Sequence, residues 1–300
     1  MSSTRKPLDG LAVGTMLILC LCWGLQQVAV KAAAPSVNPI LQIGARSALA
    51  ALMVGLLMLW RGPRLSLRDG TVWPGIVTGL LFALEFFCVA IALMYTTASH
   101  VSVFLYTAPI FLVLGLHWLV PGERMAPRQW CGVLLAFAGI ALAFADGFGG
   151  PATTWQTLLL GDGMAVAGGI LWAATTLTIR ATALSEAAPT TTLLYQLGIA
   201  GVILVALPLA AGNAVVTPIG TLAWASLIFQ TVVVGFASFL AWFWLLRRYL
   251  TSRLSVFSFL TPLFGVAFGV LLLDDPVGLG FGGGTLLVMA GIVLVNLRSR

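Results

Sequence analysis

One acidic residue lies deep inside a long apolar run. Glu85 stands about midway along the segment 72–95. A charged side chain at the centre of a bilayer costs at least about 2.5–3.5 kcal/mol, so this carboxyl group has to face protein or a watery cavity. Two roles remain open for Glu85: contact with the amino group of a ligand or with a proton, and a structural hydrogen bond to a neighbouring helix.

Aromatic and polar side chains share helical faces in two other apolar runs. Trp23 and Gln27 are four residues apart, with Gln26 beside them, and Trp172 and Thr176 have the same spacing. Residues four apart lie on one face of a helix. Aromatic walls with a few polar groups suit a small amphipathic ligand. Packing, or a place in the membrane interface, would explain the tryptophans equally well.

Three further side chains, Tyr106, Phe239 and Trp242, are candidates for the same cavity. Tyr106 lies three residues before Pro109, and Phe239 and Trp242 are three apart, so that they can form one wall. Arg46 lies inside the second apolar run. Its long side chain can reach towards the membrane surface or pair structurally. It can also bind a carboxylate, and the sequence does not decide between these roles.

The composition indicates the class of protein in which these residues lie. Of 300 residues, 60% are hydrophobic and 8% are charged. Soluble domains have about 25% charged residues, and disordered chains are poor in apolar residues, so both classes are excluded. The composition indicates an all-α membrane protein.

Ten segments are long and apolar enough to cross a bilayer, which needs about 20 residues per helix. Breakers such as Pro35, Gly62-Pro63 and Gly149-Gly150-Pro151 separate them. The predicted spans are 10–31, 37–60, 72–95, 98–120, 128–145, 158–180, 190–211, 221–246, 253–273 and 277–297.

The basic residues orient this bundle. With the ten spans drawn as above, 13 of the 15 Lys and Arg residues fall on one side, Lys31 falls on the other, and Arg46 lies within a span. Because Lys and Arg are enriched in cytoplasmic loops, both termini are predicted to be cytoplasmic.

The two halves of the chain resemble each other. The motif Ser-x-x-Ser-Val-Phe starts at Ser99 and again at Ser252, and each copy is followed by a proline, Pro109 and Pro262. Five spans per half make the second half inverted, as in many secondary transporters. We therefore predict two five-helix repeats, 1–150 and 151–300. Both prolines fall in mid-span, where a kink can act as a hinge or be static.

With these features the chain resembles the ten-helix EamA type of the drug/metabolite transporter superfamily. Within it, the chain is similar to aromatic amino acid exporters of the YddG type. The resemblance implies export of aromatic and other neutral amino acids across a bacterial inner membrane. One departure is Asp274-Asp275, where the family often has Gly-Glu. The residues that carry the resemblance are Trp23-Gly24, Lys31, Arg46, Ala92-Leu93, Tyr95, Ala98-Ser99, Pro109, Gly122-Glu123, Gly132, Gly139, Trp172, Arg180, Pro262 and Gly291.

Other classes of function have weak support in the sequence. An intramembrane enzyme would need a motif such as His-Glu-x-x-His or Gly-x-Ser-Gly, and neither is present. We predict no catalytic residues, no metal site, no cofactor and no nucleic-acid partner. The expected partners are the lipid bilayer and a small-molecule substrate, and the expected state is a monomer. The remaining alternatives are an exporter of another metabolite or drug class in the same superfamily and a channel, and substrate counter-flow separates a channel from a carrier.

Overall fold

The computed structural model is helical through nearly all of the residues that it describes. Extended pairing among those residues is confined to isolated bridge positions, such as the parallel bridge between Lys6 and Tyr249. The predicted all-α class is therefore confirmed for this part of the chain. The structure describes residues 6–61, 69–95, 101, 104–120, 123–143, 155–212, 218–273 and 280–297.

Eleven helices, α1 to α11 in chain order, and one short 3₁₀ turn at Ala183–Ser185 follow one another in the described residues. The eighth, α8, runs without interruption over Thr221–Arg248, and its middle, Phe229–Ser238, is π-helical. The bounds are α1 Gly10–Ala33, α2 Pro39–Arg61, α3 Val72–Tyr95, α4 Ala108–Leu119, α5 Pro127–Ala143, α6 Trp155–Ala181, α7 Pro189–Ala210, α8 Thr221–Arg248, α9 Thr251–Phe257, α10 Leu260–Leu273 and α11 Gly280–Asn296.

Six of these helices are long and apolar enough to cross a membrane. They are α1, α2, α3, α6, α7 and α8, and α4, α5 and α11 are shorter apolar helices. Many large apolar side chains point away from the protein, such as Leu59, Trp73 and Leu271. Exposed apolar surface on long helices is what a lipid environment requires, so the chain is a multi-pass membrane protein.

The two mid-span prolines do not kink continuous helices, which corrects the prediction for the spans 98–120 and 253–273. The chain makes a turn at 106–107, and α4 then begins at Ala108 with Pro109 as its second residue. A second turn at 258–259 precedes α10, and Pro262 is its third residue. Proline is tolerated in the first turn of a helix because no backbone N–H is needed there. Both prolines therefore start a new helix segment.

Glycines allow several helices to touch through their backbones. A Cβ at Gly44 of α2 would lie 2.6 Å from the carbonyl carbon of Leu204 in α7, and one at Gly201 of α7 would lie 2.8 Å from the Cα of Ala48 in α2. The same holds for α5 and α11, where a Cβ at Gly291 would lie 2.5 Å from the carbonyl oxygen of Gly132. Small residues at these crossings are typical of membrane helix packing.

Candidate functional site

A cavity of about 140 Å³ lies between α1, α2, α3, α6, α7 and α8, next to the turn before α4. Apolar and aromatic side chains form most of its wall. A cavity of about 150 Å³ holds a molecule of the size of benzene. The lining residues are Trp23, Gln26, Val30, Pro39, Ile43, Phe82, Glu85, Phe86, Val89, Ala90, Leu105, Tyr106, Trp172, Thr175, Thr176, Ile179, Gln196, Phe239, Trp242 and Phe243.

Eight of the nine side chains predicted to bind substrate line this one cavity. The ninth is Gln27, which lies in α1, but its side chain is outside the described part of the structure. The eight come from α1, α3, α6, α8 and the turn before α4. They are Trp23, Gln26, Glu85, Tyr106, Trp172, Thr176, Phe239 and Trp242.

Trp23 is the centre of one aromatic wall. Its ring centroid lies 5.9 Å from that of Trp242 in an edge-to-face arrangement and 6.5 Å from that of Phe239. The indole Nε1–H of Trp23 donates a hydrogen bond of 3.0 Å to the Ser238 hydroxyl. This bond ties α1 to the end of the π-helical stretch of α8, which fixes the orientation of the ring. The polar tip of the indole is thereby satisfied while its apolar body faces the cavity.

The wall continues onto α3 through two phenylalanines. The Phe82 ring contacts Phe239 with centroids 5.9 Å apart, and it contacts Phe86 at 4.9 Å, both in edge-to-face geometry. Such pairs contribute about 0.5–1.5 kcal/mol each beyond the burial of their area. The cavity is therefore bounded on this side by a connected set of rings.

Trp172 belongs to a second aromatic group. Its ring meets Tyr106 edge to face, with centroids 5.5 Å apart and an interplanar angle of 88°. Trp23 and Trp172 both line the cavity, but each packs against its own aromatic neighbours.

A small number of polar groups interrupts these walls. Glu85 is 7% exposed, and its Oε2 has no hydrogen-bond partner. Gln26, Thr176 and Gln196 are also buried and line the cavity. Thr175 donates its hydroxyl to the carbonyl oxygen of Leu171, within its own helix. Glu85 is thus the one acidic side chain among the lining residues.

Sequence reasoning missed three of the important lining residues. Phe82 and Phe86 lie three residues before and one after Glu85 on α3, and Phe82 shares the helical face of Glu85 and so could have been found by spacing. Gln196 is the one amide side chain in the apolar segment of α7, so its isolation was a usable signal. Phe86 gave no signal of this kind.

One of the two hinge candidates, Pro109, lies beside the cavity wall. Pro109 borders a gap of about 10 Å³ that Trp172 and Trp242 also line, together with Ser255 and Ser258. Both tryptophans face the central cavity as well, so the turn that interrupts the helix before Pro109 is adjacent to the site. Pro262 occupies the related position in α10, directly after the buried Thr261.

A bundle of apolar helices around a largely apolar cavity, with eight aromatic side chains in its wall, defines an integral membrane protein with a site for a small molecule. The sequence model of the EamA-like transporter family matches this chain twice, over residues 10–145 and 159–297. The chain therefore belongs to the EamA-like transporter family and is a membrane transporter.

Three similar proteins extend this comparison. An uncharacterized transporter of Bacillus subtilis (strain 168), YvbV, is 27% identical over 95% of this chain and 91% of its own length. An uncharacterized transporter of Archaeoglobus fulgidus is 27% identical over 74% of this chain and 73% of its own length. A solved crystal structure with 20% identity superposes with a TM-score of 0.80, covering 95% of this chain and 98% of that one. This last similarity concerns the fold alone.

Proposed function

We propose that this transporter is a secondary carrier that exports small amphipathic metabolites, namely aromatic and other neutral amino acids, by alternating access around the central cavity. The observation that carries the proposal is one central cavity with eight aromatic side chains and a single carboxylate, Glu85, in its wall. The aromatic walls suit an apolar side chain, and the carboxylate suits an ammonium group.

The packing of the helices supports a bundle of ten spans built as two inverted repeats, 1–150 and 151–300. In this arrangement α9 and α10 together form one span, and α1 to α5 correspond to α6, α7, α8, α9–α10 and α11. The contact of α3 with α6 then corresponds to that of α8 with α1, and the contact of α4 with α6 to that of α10 with α1. The repeat exchanges α2 with α7 and α5 with α11, so each of these two helix contacts corresponds to itself. The double family match supports the same division.

The two aromatic groups provide the parts of an alternating-access site. Trp23, Phe239 and Trp242 come from α1 and α8, whereas Trp172 and Tyr106 come from α6 and the turn before α4. Each group contains residues of both repeats, so rocking of one repeat against the other shifts the rings within both groups and opens the cavity to one side at a time. The turns that interrupt the helices before Pro109 and Pro262 give the repeats a matching pair of hinges.

The placement of the basic residues supports cytoplasmic termini in a bacterial inner membrane. The backbone of Lys6 pairs with that of Arg248 and Leu250, and Arg128 donates a hydrogen bond of 2.6 Å to the carbonyl oxygen of Leu297. Lys6 and Leu297 therefore lie at the same end of the bundle as several basic residues, because Glu123, near Arg128, accepts a hydrogen bond from Thr251, near Arg248. We propose that this end faces the cytoplasm and that the chain acts as a monomer.

Counter-flow in liposomes tests this function. Purified protein is reconstituted with one unlabelled amino acid inside, and the entry of labelled phenylalanine, tryptophan, leucine, methionine and threonine is measured with and without a pH gradient. We expect transient accumulation of the label, which a channel does not produce. Flat entry of all five would overturn the amino acid substrate class.

Glu85→Gln is the variant that tests the site. It keeps the shape of the side chain and removes its charge, so we expect loss of counter-flow with folded protein retained. Glu186→Gln, at an exposed position before α7, is the matched control and should transport like the wild type. Normal transport by Glu85→Gln would remove Glu85 from the mechanism.

A further inference from the structure

Arg46 is the most deeply buried charged side chain among the described residues. Its exposure is 0%, and none of its three guanidinium nitrogens has a hydrogen-bond partner. Its side chain therefore does not reach the membrane surface and forms no hydrogen-bonded pair within the protein. Arginine carries five N–H donors and stays protonated, so burial without a partner is costly. Such a group is suited to donate its N–H groups to an anion that enters from outside the protein.

The guanidinium lies directly behind the wall of the cavity. Ile43, one helical turn earlier on α2, lines the cavity. The guanidinium carbon of Arg46 is 4.8 Å from the centre of the Phe86 ring, and Phe86 also lines the cavity. The ring of Phe86 is thus both a part of the cavity wall and the cover of the cation. A rotation of this ring would give the guanidinium access to a bound molecule.

Glu85, next to Phe86 in the chain, carries the opposite charge. Its Oε2 is buried without a hydrogen-bond partner, and no Arg46 nitrogen has a partner either, so the two groups form no direct ion pair. A cation and an anion are therefore held apart beside one cavity. A molecule that carries both charges can satisfy both groups at once and adds no net charge to the apolar interior.

We propose that Arg46 is the carboxylate subsite of the carrier and that Phe86 is its movable cover. This inference rests on the proposed function and assigns the side chain that binds the carboxylate of the amino acid. The guanidinium donates two parallel hydrogen bonds to the substrate carboxylate, and the substrate ammonium group donates to Glu85. An apolar or aromatic side chain occupies the cavity between Trp23 and Trp172. The cavity of about 140 Å³ holds a ring, so the charged end extends past the displaced Phe86.

Three probes that differ in their charged groups test the subsite. L-Phenylalanine carries both charges, phenethylamine lacks the carboxylate, and 3-phenylpropionate lacks the amine. Their binding to the purified full-length chain is measured by competition with labelled phenylalanine. We expect the wild type to bind phenylalanine at least tenfold more tightly than either analogue.

Two variants separate recognition from structure. Arg46→Gln should weaken the binding of phenylalanine at least tenfold and leave that of phenethylamine, measured with labelled amine, within threefold of the wild type. Arg46→Lys keeps the charge but loses the bidentate geometry, so it should weaken phenylalanine to an intermediate degree even if Arg46→Gln does not fold. Arg248→Gln removes a cation that stacks on Trp244 outside the cavity and is the control.

The outcomes are distinguishable from failure of the proposed function. If the wild type neither binds nor transports any of the five amino acids, the proposed amino acid substrate class is overturned without any variant. If the wild type transports them but binds phenylalanine and phenethylamine equally, the carboxylate subsite alone is overturned. If Arg46→Lys weakens the binding of phenylalanine and phenethylamine equally, Arg46 supports the fold and does not bind the carboxylate.

Discussion

Glu123 and Arg180 form a buried salt bridge in which Nη2 of Arg180 lies 2.7 Å from Oε1 of Glu123. The same carboxylate accepts hydrogen bonds from the backbone N–H of Thr251 and from both the backbone N–H and the hydroxyl of Ser252. It therefore joins the loop after α4 to the end of α6 and to the start of α9. Since Ile179, the residue before Arg180, lines the cavity, this junction lies next to the cavity wall.

Glu123→Gln is expected to destabilise the folded protein strongly. The variant leaves the buried cation of Arg180 without a counter-charge, and removing one partner of a buried pair costs about 3–5 kcal/mol. The measurement is the thermal unfolding midpoint of purified protein in detergent. Glu186→Gln serves as the control, and the double variant Glu123→Gln/Arg180→Met should recover part of the loss. An unchanged midpoint for Glu123→Gln would mean that the pair does not hold the two halves together.

The hydrogen bond from Trp23 to Ser238 predicts a coupled pair of variants. Ser238→Ala leaves the indole N–H without an acceptor, and Trp23→Phe removes the donor but keeps a ring in the wall. Each should slow counter-flow severalfold, and the double variant should be no slower than the worse single variant, because both remove the same bond. Trp23→Ala should be more severe, since it opens the wall itself.

Counter-flow rates in liposomes check this pair. Trp73→Phe is the control, because Trp73 lies on an exposed face of α3 and its exposure is 77%. Strictly additive effects of Trp23→Phe and Ser238→Ala would contradict a shared role in orienting the ring.

The helical period and the properties of the bilayer explain why much of the site could be predicted. Polar and aromatic residues at a spacing of four on an otherwise apolar helix have to face the protein interior. This reasoning selected Trp23, Trp172 and Thr176 without any structure. Glu85 followed from its isolation within an apolar run. The helices that carry them were visible for the same reason, because their length matches the bilayer.

Features that depend on tertiary contacts were beyond this reasoning. Arg180 was counted among the basic residues that orient the bundle, but it is buried and paired with Glu123. Nothing in the local sequence distinguishes a paired cation from a solvated one. Likewise, the sequence left Arg46 open between membrane surface, structural pairing and ligand, since its burial depends on α2, α3 and α8 meeting around it. The prolines indicated irregular helices, but whether a kink or a full break resulted was not predictable.

The close contact of α5 with α11 predicts a sharp difference between two glycine substitutions on one helix. A Cβ at Gly291 would lie 2.5 Å from the carbonyl oxygen of Gly132 and 2.6 Å from the backbone nitrogen of Ala136. Backbone atoms cannot move away without separating the helices, so Gly291→Ala should cost about 1–3 kcal/mol. At Gly282 of the same helix a Cβ would meet nothing within 4 Å.

Gly282→Ala is therefore the matched control and should be neutral or slightly stabilising, because alanine favours helix more than glycine does. The unfolding midpoints of the two variants in the same detergent are compared with the wild type. Equal effects of the two substitutions would contradict close packing of α5 against α11.

Asp9 gives a pH-dependent anchor for the first turn of α1. The backbone N–H of Ala12 donates to its carboxylate at 2.9 Å, and the Tyr249 hydroxyl donates at 2.8 Å, which together hold the pKa of Asp9 below its usual 3.8. A carboxyl whose pKa is lowered by folding stabilises the folded state above its unfolded pKa and loses this effect as the pH falls through the folded pKa. Hydrogen exchange of the first turn of α1 should thus be slower in the wild type than in Asp9→Ala at about pH 6, and the two should converge below pH 3.8. Glu186→Ala should match the wild type throughout, and a difference that persists unchanged into acid would show that the Asp9 carboxylate does not anchor this turn.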